Sequence, residues 1–147
     1  MSIPRPIFQF VEYKLRNYKA NKALIQGASE RRENILMRGR RKRHARAYIV
    51  SSIENVPTSG SNQTSRRVVA LILEEERAVL LAPWVDVIEQ TLDRMSPMDR
   101  MLIKLKYFEA RYNDKGIVMQ LPMSERSYYR RKAVLIGEFA RAFGLVG

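Results

Sequence analysis

The stretch IVMQLPMSERSY, residues 117–128, decides how the C-terminal part of the chain folds. Proline lacks the N–H that a continuing helix needs and disfavours a helical conformation in the residue before it, so a short helix carrying Ile117, Val118 and Leu121 on its inner side is predicted to end at Pro122. Serine is a strong helix N-cap, and Ser124 stands two residues later. The pattern therefore predicts two helices joined by a three-residue turn centred on Pro122-Met123, the spacing of a helix-turn-helix over about residues 115–139.

The second of these helices is amphipathic. Tyr128, Leu135 and Phe139 share an inward stripe that Ala142 and Phe143 continue, whereas the outer side is basic and hydroxyl-bearing. In a major groove, the N-terminal residues of such a helix reach base edges and later cations meet phosphate. An ordinary helical hairpin with a charged outer face is the alternative. The candidate DNA-binding residues are Ser124, Glu125, Arg126, Ser127, Tyr129, Arg130, Arg131, Lys132 and Lys115.

Helical patterns also fill the middle of the chain. Ser96-Pro97-Met98-Asp99 has the residues of a helix start, with serine as N-cap and proline in the first turn. A break is expected at Asn113-Asp114, and Pro83 either kinks a helix or opens one. Apolar residues follow helical spacing at Val69, Ile72, Leu73 and Leu80. One buried helical face is predicted at Trp84, Val87, Ile88, Thr91, Leu92 and Met95, and the helix after Ser96 is predicted to bury Met98, Met101, Leu102, Leu105 and Phe108. Since no convincing strand is found, the predicted fold is all-α.

The N-terminal region, residues 1–54, is predicted to be basic and helical. A short coiled-coil-like seam with spacings of 3, 4, 3 and 7 residues, interrupted by Lys22, is formed by Phe8, Val11, Leu15, Tyr18 and Ile25. This seam predicts a homodimer through N-terminal helices, although it could equally pack inside its own chain. Residues 55–65, NVPTSGSNQTS, carry no charge and are predicted to be a polar linker or loop before a helical domain over 66–147.

The net charge of +12 is unevenly distributed, with +9 over residues 1–54, −1 over 55–109 and +4 over 110–147. A row of cations without acids suits a polyphosphate strand, because each contact releases condensed counterions. A solvated segment that aids solubility is the plainer interpretation. The densest block, which would make auxiliary phosphate contacts, contains Arg38, Arg40, Arg41, Lys42, Arg43 and Arg46.

Composition argues against several classes of protein. The chain has no cysteine, so it has no residues for thiolate metal sites or disulfides. Its one histidine, His44, leaves little basis for a histidine-containing triad. The acidic residues lie at helical surface spacing, and we expect no enzyme, no metal and no cofactor. No apolar run approaches the roughly 20 residues that span a bilayer, so we expect a protein that does not enter membranes.

Several segments together resemble the ArpU/RinA group of phage late transcription regulators, whose C-terminal part looks like region 4 of bacterial sigma factors. The resemblance rests on residues 95–109, 117–121, 124–130 and 143–145, and it is best over about 84–145. Residues 12–19, EYKLRNYK, are similar to the first helix of that group, and a polar insert before the long middle helix is also a feature of the group. Pro122 and the dense basic block depart from the group, and the block suggests an additional backbone contact.

The resemblance implies a double-stranded DNA-binding activator of late phage genes for packaging and morphogenesis. Such a protein acts at a promoter in the cytoplasm of a bacterial host, with RNA polymerase as a further partner. Carried over by position, the resemblance places Ser124 to Ser127, Tyr129 and Arg130 toward DNA and Tyr128 in the core. Two other interpretations remain: a small-terminase-type packaging component that forms rings, and an RNA-binding protein that uses residues 38–46 as an arginine-rich helix.

Overall fold

A computed structural model of the chain describes residues 2–41 and 62–147. These residues form six α-helices and one π-helical segment, without any β-strand, so the all-α prediction is confirmed. Of the basic block, residues 42–46 lie outside this description, and only the backbone of residues 38–41 is described. Residues 55–61 of the predicted linker also lie outside it. In chain order the helices are α1 (Arg5–Arg16), α2 (Tyr18–Arg41), α3 (Asn62–Asp93), α4 (Pro97–Ile103), the π-helical segment (Lys104–Glu109), α5 (Asp114–Gln120) and α6 (Glu125–Ala142).

The boundaries of the compact units differ from the sequence division at residues 54 and 65. One unit comprises Met1–Ala20 and Pro83–Gly147, and the other comprises Asn21–Ala82. Residues 62–65, predicted as the end of a linker, already belong to α3. Pro83 neither ends nor opens a helix, because α3 runs through it. The carbonyl that loses its partner there belongs to Val79, whose residue is 64% exposed and therefore open to water.

The seam of the first helix packs inside its own chain. Val11 and Leu15 are fully buried, and Tyr18 is nearly so, with its ring stacked on Phe108 at 4.6 Å between centroids. This is the second of the two outcomes that the heptad spacing allowed. The predicted homodimer through N-terminal helices stays a prediction, but these seam residues are already covered.

The larger unit has a continuous apolar core where α1, the part of α3 from Pro83 onward, α4, the π-helical segment, α5 and α6 meet. Tyr107 is buried in it, and its hydroxyl donates a hydrogen bond of 2.8 Å to Glu12 Oε1 of α1. The largest side chains fully buried in this core are Tyr107, Tyr128, Phe139, Leu15, Ile88, Leu102, Ile103, Ile117, Leu135, Ile136 and Val11.

The helix that begins after Ser96 buries only part of the stripe predicted for it, with Leu102 fully buried. Met98 and Met101 are 37% and 50% exposed, whereas Ile103 and Tyr107 are buried, so the predicted burial of both methionines is wrong. The inner face is rotated by about one residue, and the π-helical segment changes the register after Ile103. The segment ends at Ala110, whose φ of 51° lies in the left-handed region.

Candidate nucleic-acid interface

Helix α5 is held in place at both ends by local sequence. The Asn113 side chain caps its start by accepting a hydrogen bond of 2.9 Å from the Gly116 N–H. Ile117 and Leu121 are buried, which fixes one side of α5 against the core. Leu121 has extended backbone angles (φ −103°, ψ 142°), as expected of a residue that precedes proline. Helix α5 therefore ends where Pro122 requires it to end.

Helix α6 begins at an N-cap formed by Ser124. Its Oγ accepts a hydrogen bond of 3.2 Å from the Ser127 N–H, and its hydroxyl donates one of 2.9 Å to Ser127 Oγ. The first-turn N–H groups of Glu125 and Arg126 have no partner within a regular helix. Donors exposed at a helix N-terminus, together with the helix dipole, suit an anion such as phosphate.

The outer side of the first two turns of α6 is open to solvent. Glu125, Arg126, Ser127, Tyr129 and Arg130 are all exposed, as is Ser124 before them. Arg126 and Arg130 lie one turn apart, and neither forms an ion pair with any residue in the described part of the chain. Two uncompensated like charges at this spacing repel each other, so a bound anion would relieve the repulsion.

The opposite side of α6 is anchored to α5 through Tyr128. This side chain is fully buried, and its hydroxyl donates a hydrogen bond of 2.7 Å to Asp114 Oδ1. Lys106 Nζ lies 2.9 Å from the same oxygen. Burial would raise the pKa of Asp114, but the hydrogen bonds from Tyr128 and Lys106 and the charge of Lys132 outweigh it, so the pKa lies below its ordinary value. Asp114 therefore stays ionised and keeps both helices paired.

A second polar contact joins α6 to α4. Arg131 donates two hydrogen bonds to the Asp99 carboxylate, of which Nε to Oδ1 measures 2.7 Å. Asp99 is only 4% exposed, and the hydrogen bonds from Arg131, opposed by burial, set its pKa below the ordinary value. A buried carboxylate needs such a partner, because an unpaired charge in a low dielectric is costly. The contact fixes the rotation of α6 on the core.

The predicted interface residues thus differ in what their side chains contact. Lys115 is exposed on α5. Arg131 has its guanidinium occupied by Asp99, and Lys132 is half-buried with Nζ 4.0 Å from Asp114 Oδ2 and 5.9 Å from the Tyr129 ring centroid. The remaining six, Ser124 to Ser127 with Tyr129 and Arg130, share one exposed surface, which we call the α6 outer face.

Sequence reasoning missed the carboxylates that orient this face. Asp99 stands at a predicted helix start, and the Ser96 hydroxyl does accept a hydrogen bond of 3.3 Å from the Asp99 N–H. The Asp99 carboxylate, however, binds Arg131, which lies 32 residues further along the chain. Asp114 was assigned only to a break between helices. Acidic residues are common in the first turn of helices. The local sequence therefore does not show which of these carboxylates pairs with a residue far away in the chain.

Metal-ligand clusters and membrane-spanning helices are both absent from the part of the chain that the structure describes. No group of three or more histidine, cysteine or acidic residues is placed to hold a metal ion, and no helix is long and apolar enough to span a membrane. Comparison with known proteins identified no relative, since no family model, curated protein or solved structure matches the chain.

Proposed function

We propose that this chain is a sequence-specific double-stranded DNA-binding regulator of transcription that places the N-terminal half of α6 in the major groove. The observation that carries the proposal is the α6 outer face, which exposes two arginines and two hydroxyl-bearing serines around a capped helix start. A helix with side chains is about 10–12 Å across, close to the ~12 Å width of the groove. The resemblance of about residues 84–145 to late phage regulators supports the same proposal.

The roles of the interface residues follow from their surroundings. Arg130 and Arg126 are unpaired and exposed, so their planar donor groups are available for guanine edges. Ser124 and the free N–H groups after it suit a phosphate. Lys115 on α5 would add a second backbone contact.

Arg131 and Lys132 have a different role in this proposal. Both face carboxylates within their own unit, Asp99 and Asp114, so they orient α6 rather than read bases. Arg38, Arg40, Arg41, Lys42, Arg43 and Arg46 would supply affinity without sequence information.

Selection of binding sites from random duplex DNA tests the proposal directly. We expect a defined motif to be enriched and then protected in a footprint of the full chain. Binding that depends on salt but selects no motif would contradict sequence-specific regulation. Parallel competition with structured RNA tests the arginine-rich alternative, because preference for RNA over the selected duplex would favour it.

A further inference from the structure

The smaller unit buries few apolar side chains and leaves many large ones exposed. Its only fully buried apolar residues in the described part of the chain are Ala28 and Ala78. By contrast, six large apolar side chains of α3 are 44% to 71% exposed, namely Val69, Leu71, Ile72, Leu73, Val79 and Leu80. Contiguous apolar surface of this kind usually marks an interaction site.

Five of these six residues, all but Leu71, lie on one side of α3 at about 100° per residue. Arg66, Val69, Leu73, Glu76 and Leu80 follow the 3, 4, 3, 4 spacing of a coiled-coil seam. Val69 lies nine residues before the buried Ala78, which is half a turn around the helix at about 100° per residue. This surface, which we call the α3 outer seam, therefore points away from the side that Ala78 packs.

The charges of the seam are polarised around its apolar centre. Arg66 lies at the N-terminal end and Glu76 lies ten residues later, with Val69 and Leu73 between them and Leu80 after Glu76. Neither Arg66 nor Glu76 forms an ion pair with a described residue, whereas the neighbouring Glu74 and Glu75 pair with Arg31 and Arg32. The free charges of the seam are thus those that a partner would have to match.

We propose that the α3 outer seam binds the same seam of a second copy, antiparallel and across a two-fold axis near residue 71. In this register Arg66 faces Glu76 of the other copy, and Val69 faces its Leu73. Both contacts occur twice by symmetry, as an isologous interface requires. A parallel, in-register pair would instead place Arg66 on Arg66 and Glu76 on Glu76, which is repulsive. Charge complementarity therefore selects both the partner and its direction.

This surface is distinct from the N-terminal seam for which the heptad spacing predicted a dimer. Its acidic end makes a poor surface for nucleic acid, and the proposal stands whether or not α6 binds DNA.

Charge reversal in the full chain tests the arrangement. Light scattering over a dilution series up to about 100 μM should show a dimer, since a Kd near 1 μM would leave little monomer there. Arg66→Glu should weaken the dimer at least about tenfold, and the double variant Arg66→Glu/Glu76→Arg should restore it. Arg67→Glu, the same change one residue away and off the seam, is the matched control and should have little effect.

Cross-linking tests the register independently. Because the chain has no native cysteine, an introduced thiol is unique. Oxidation of a mixture of Val69→Cys and Leu73→Cys chains should give the mixed disulfide in excess over either homodimer, since only the mixed pair comes within the ~7 Å Cα separation that a disulfide needs. A monomer at all concentrations, a double variant as weak as the single one, or equal cross-linking of all pairs would each overturn the proposal.

Discussion

The hydroxyl of Tyr128 in α6 donates a hydrogen bond to Asp114 Oδ1 of α5, with 2.7 Å between the oxygens, and so joins the two helices around the Pro122 turn. Burial, followed by the hydrogen bond to Asp114 and its negative charge, raises the pKa of Tyr128 far above the ordinary phenol value. The tyrosine thus remains a donor, and Asp114, with its lowered pKa, remains an acceptor. The pair sets the angle at which α6 presents its outer face.

Tyr128→Phe should therefore lower the free energy of unfolding by about 1 kcal/mol, the usual net contribution of one hydrogen bond. Urea unfolding followed by the fluorescence of Trp84, the sole tryptophan, measures the change in the unit that contains the pair. Tyr129→Phe is the matched control, since Tyr129 is 44% exposed and should tolerate the change. Equal losses in both variants would show that the hydroxyl of Tyr128 contributes nothing specific.

The Asp99–Arg131 pair should make stability depend on acid pH. The folded-state pKa of Asp99 is lowered, so its contribution is present above the unfolded value of 3.8 and is lost as pH falls through the folded value. Asp99→Asn should cost about 1–2 kcal/mol near neutral pH, toward the low end for a charged hydrogen bond because Arg131 is partly exposed. The difference between the wild type and the variant should shrink toward about pH 2. A difference that stays constant with pH would mean that folding does not lower the pKa of Asp99.

The sequence predicted helices well because their signals are local. The Ser124 cap and the proline after Leu121 act within four residues, and the structure begins α6 and ends α5 at these positions. The predicted burial of Met98 and Met101 was wrong because tertiary packing selects which side of a helix is buried, whereas Leu102 of the same stripe is buried as predicted. Asp99 and Asp114 were missed for a related reason: each pairs with a residue that only tertiary folding brings close.

Ala110→Gly should stabilise the chain. At φ 51° an alanine side chain crowds its own backbone, whereas glycine adopts this conformation freely. We expect the free energy of unfolding to rise by about 0.5–1 kcal/mol. This is a net value, because the larger conformational entropy of glycine in the unfolded state opposes part of the gain. Ala133→Gly, an exposed position inside α6, is the matched control and should instead cost about 1 kcal/mol. A loss at both positions would show that Ala110 is not strained.

Arg130→Ala should lower affinity for a selected DNA site by roughly 1–3 kcal/mol and relax the preference at one base pair, if this arginine makes a bidentate base contact. Arg141→Ala is the matched control, because position 141 lies on nearly the same side of α6 but about 17 Å further along the axis. Binding titrations against single-base variants of the site separate the two. Loss of affinity without any change in base preference would assign Arg130 to the phosphate backbone.

Substitution of Ser124 can separate the stability of α6 from its binding. Ser124→Ala removes the acceptor for the Ser127 N–H and should cost about 1 kcal/mol, whereas Asn and Asp both replace it as caps. Ser124→Asp also favours the helix dipole, so thermal unfolding should show no loss of stability. If a phosphate sits at this helix start, the added carboxylate should weaken DNA binding at least about tenfold, most strongly at low salt, while the uncharged Ser124→Asn should bind normally. Wild-type affinity for Ser124→Asp would place the phosphate elsewhere and would require a different docking of the α6 outer face.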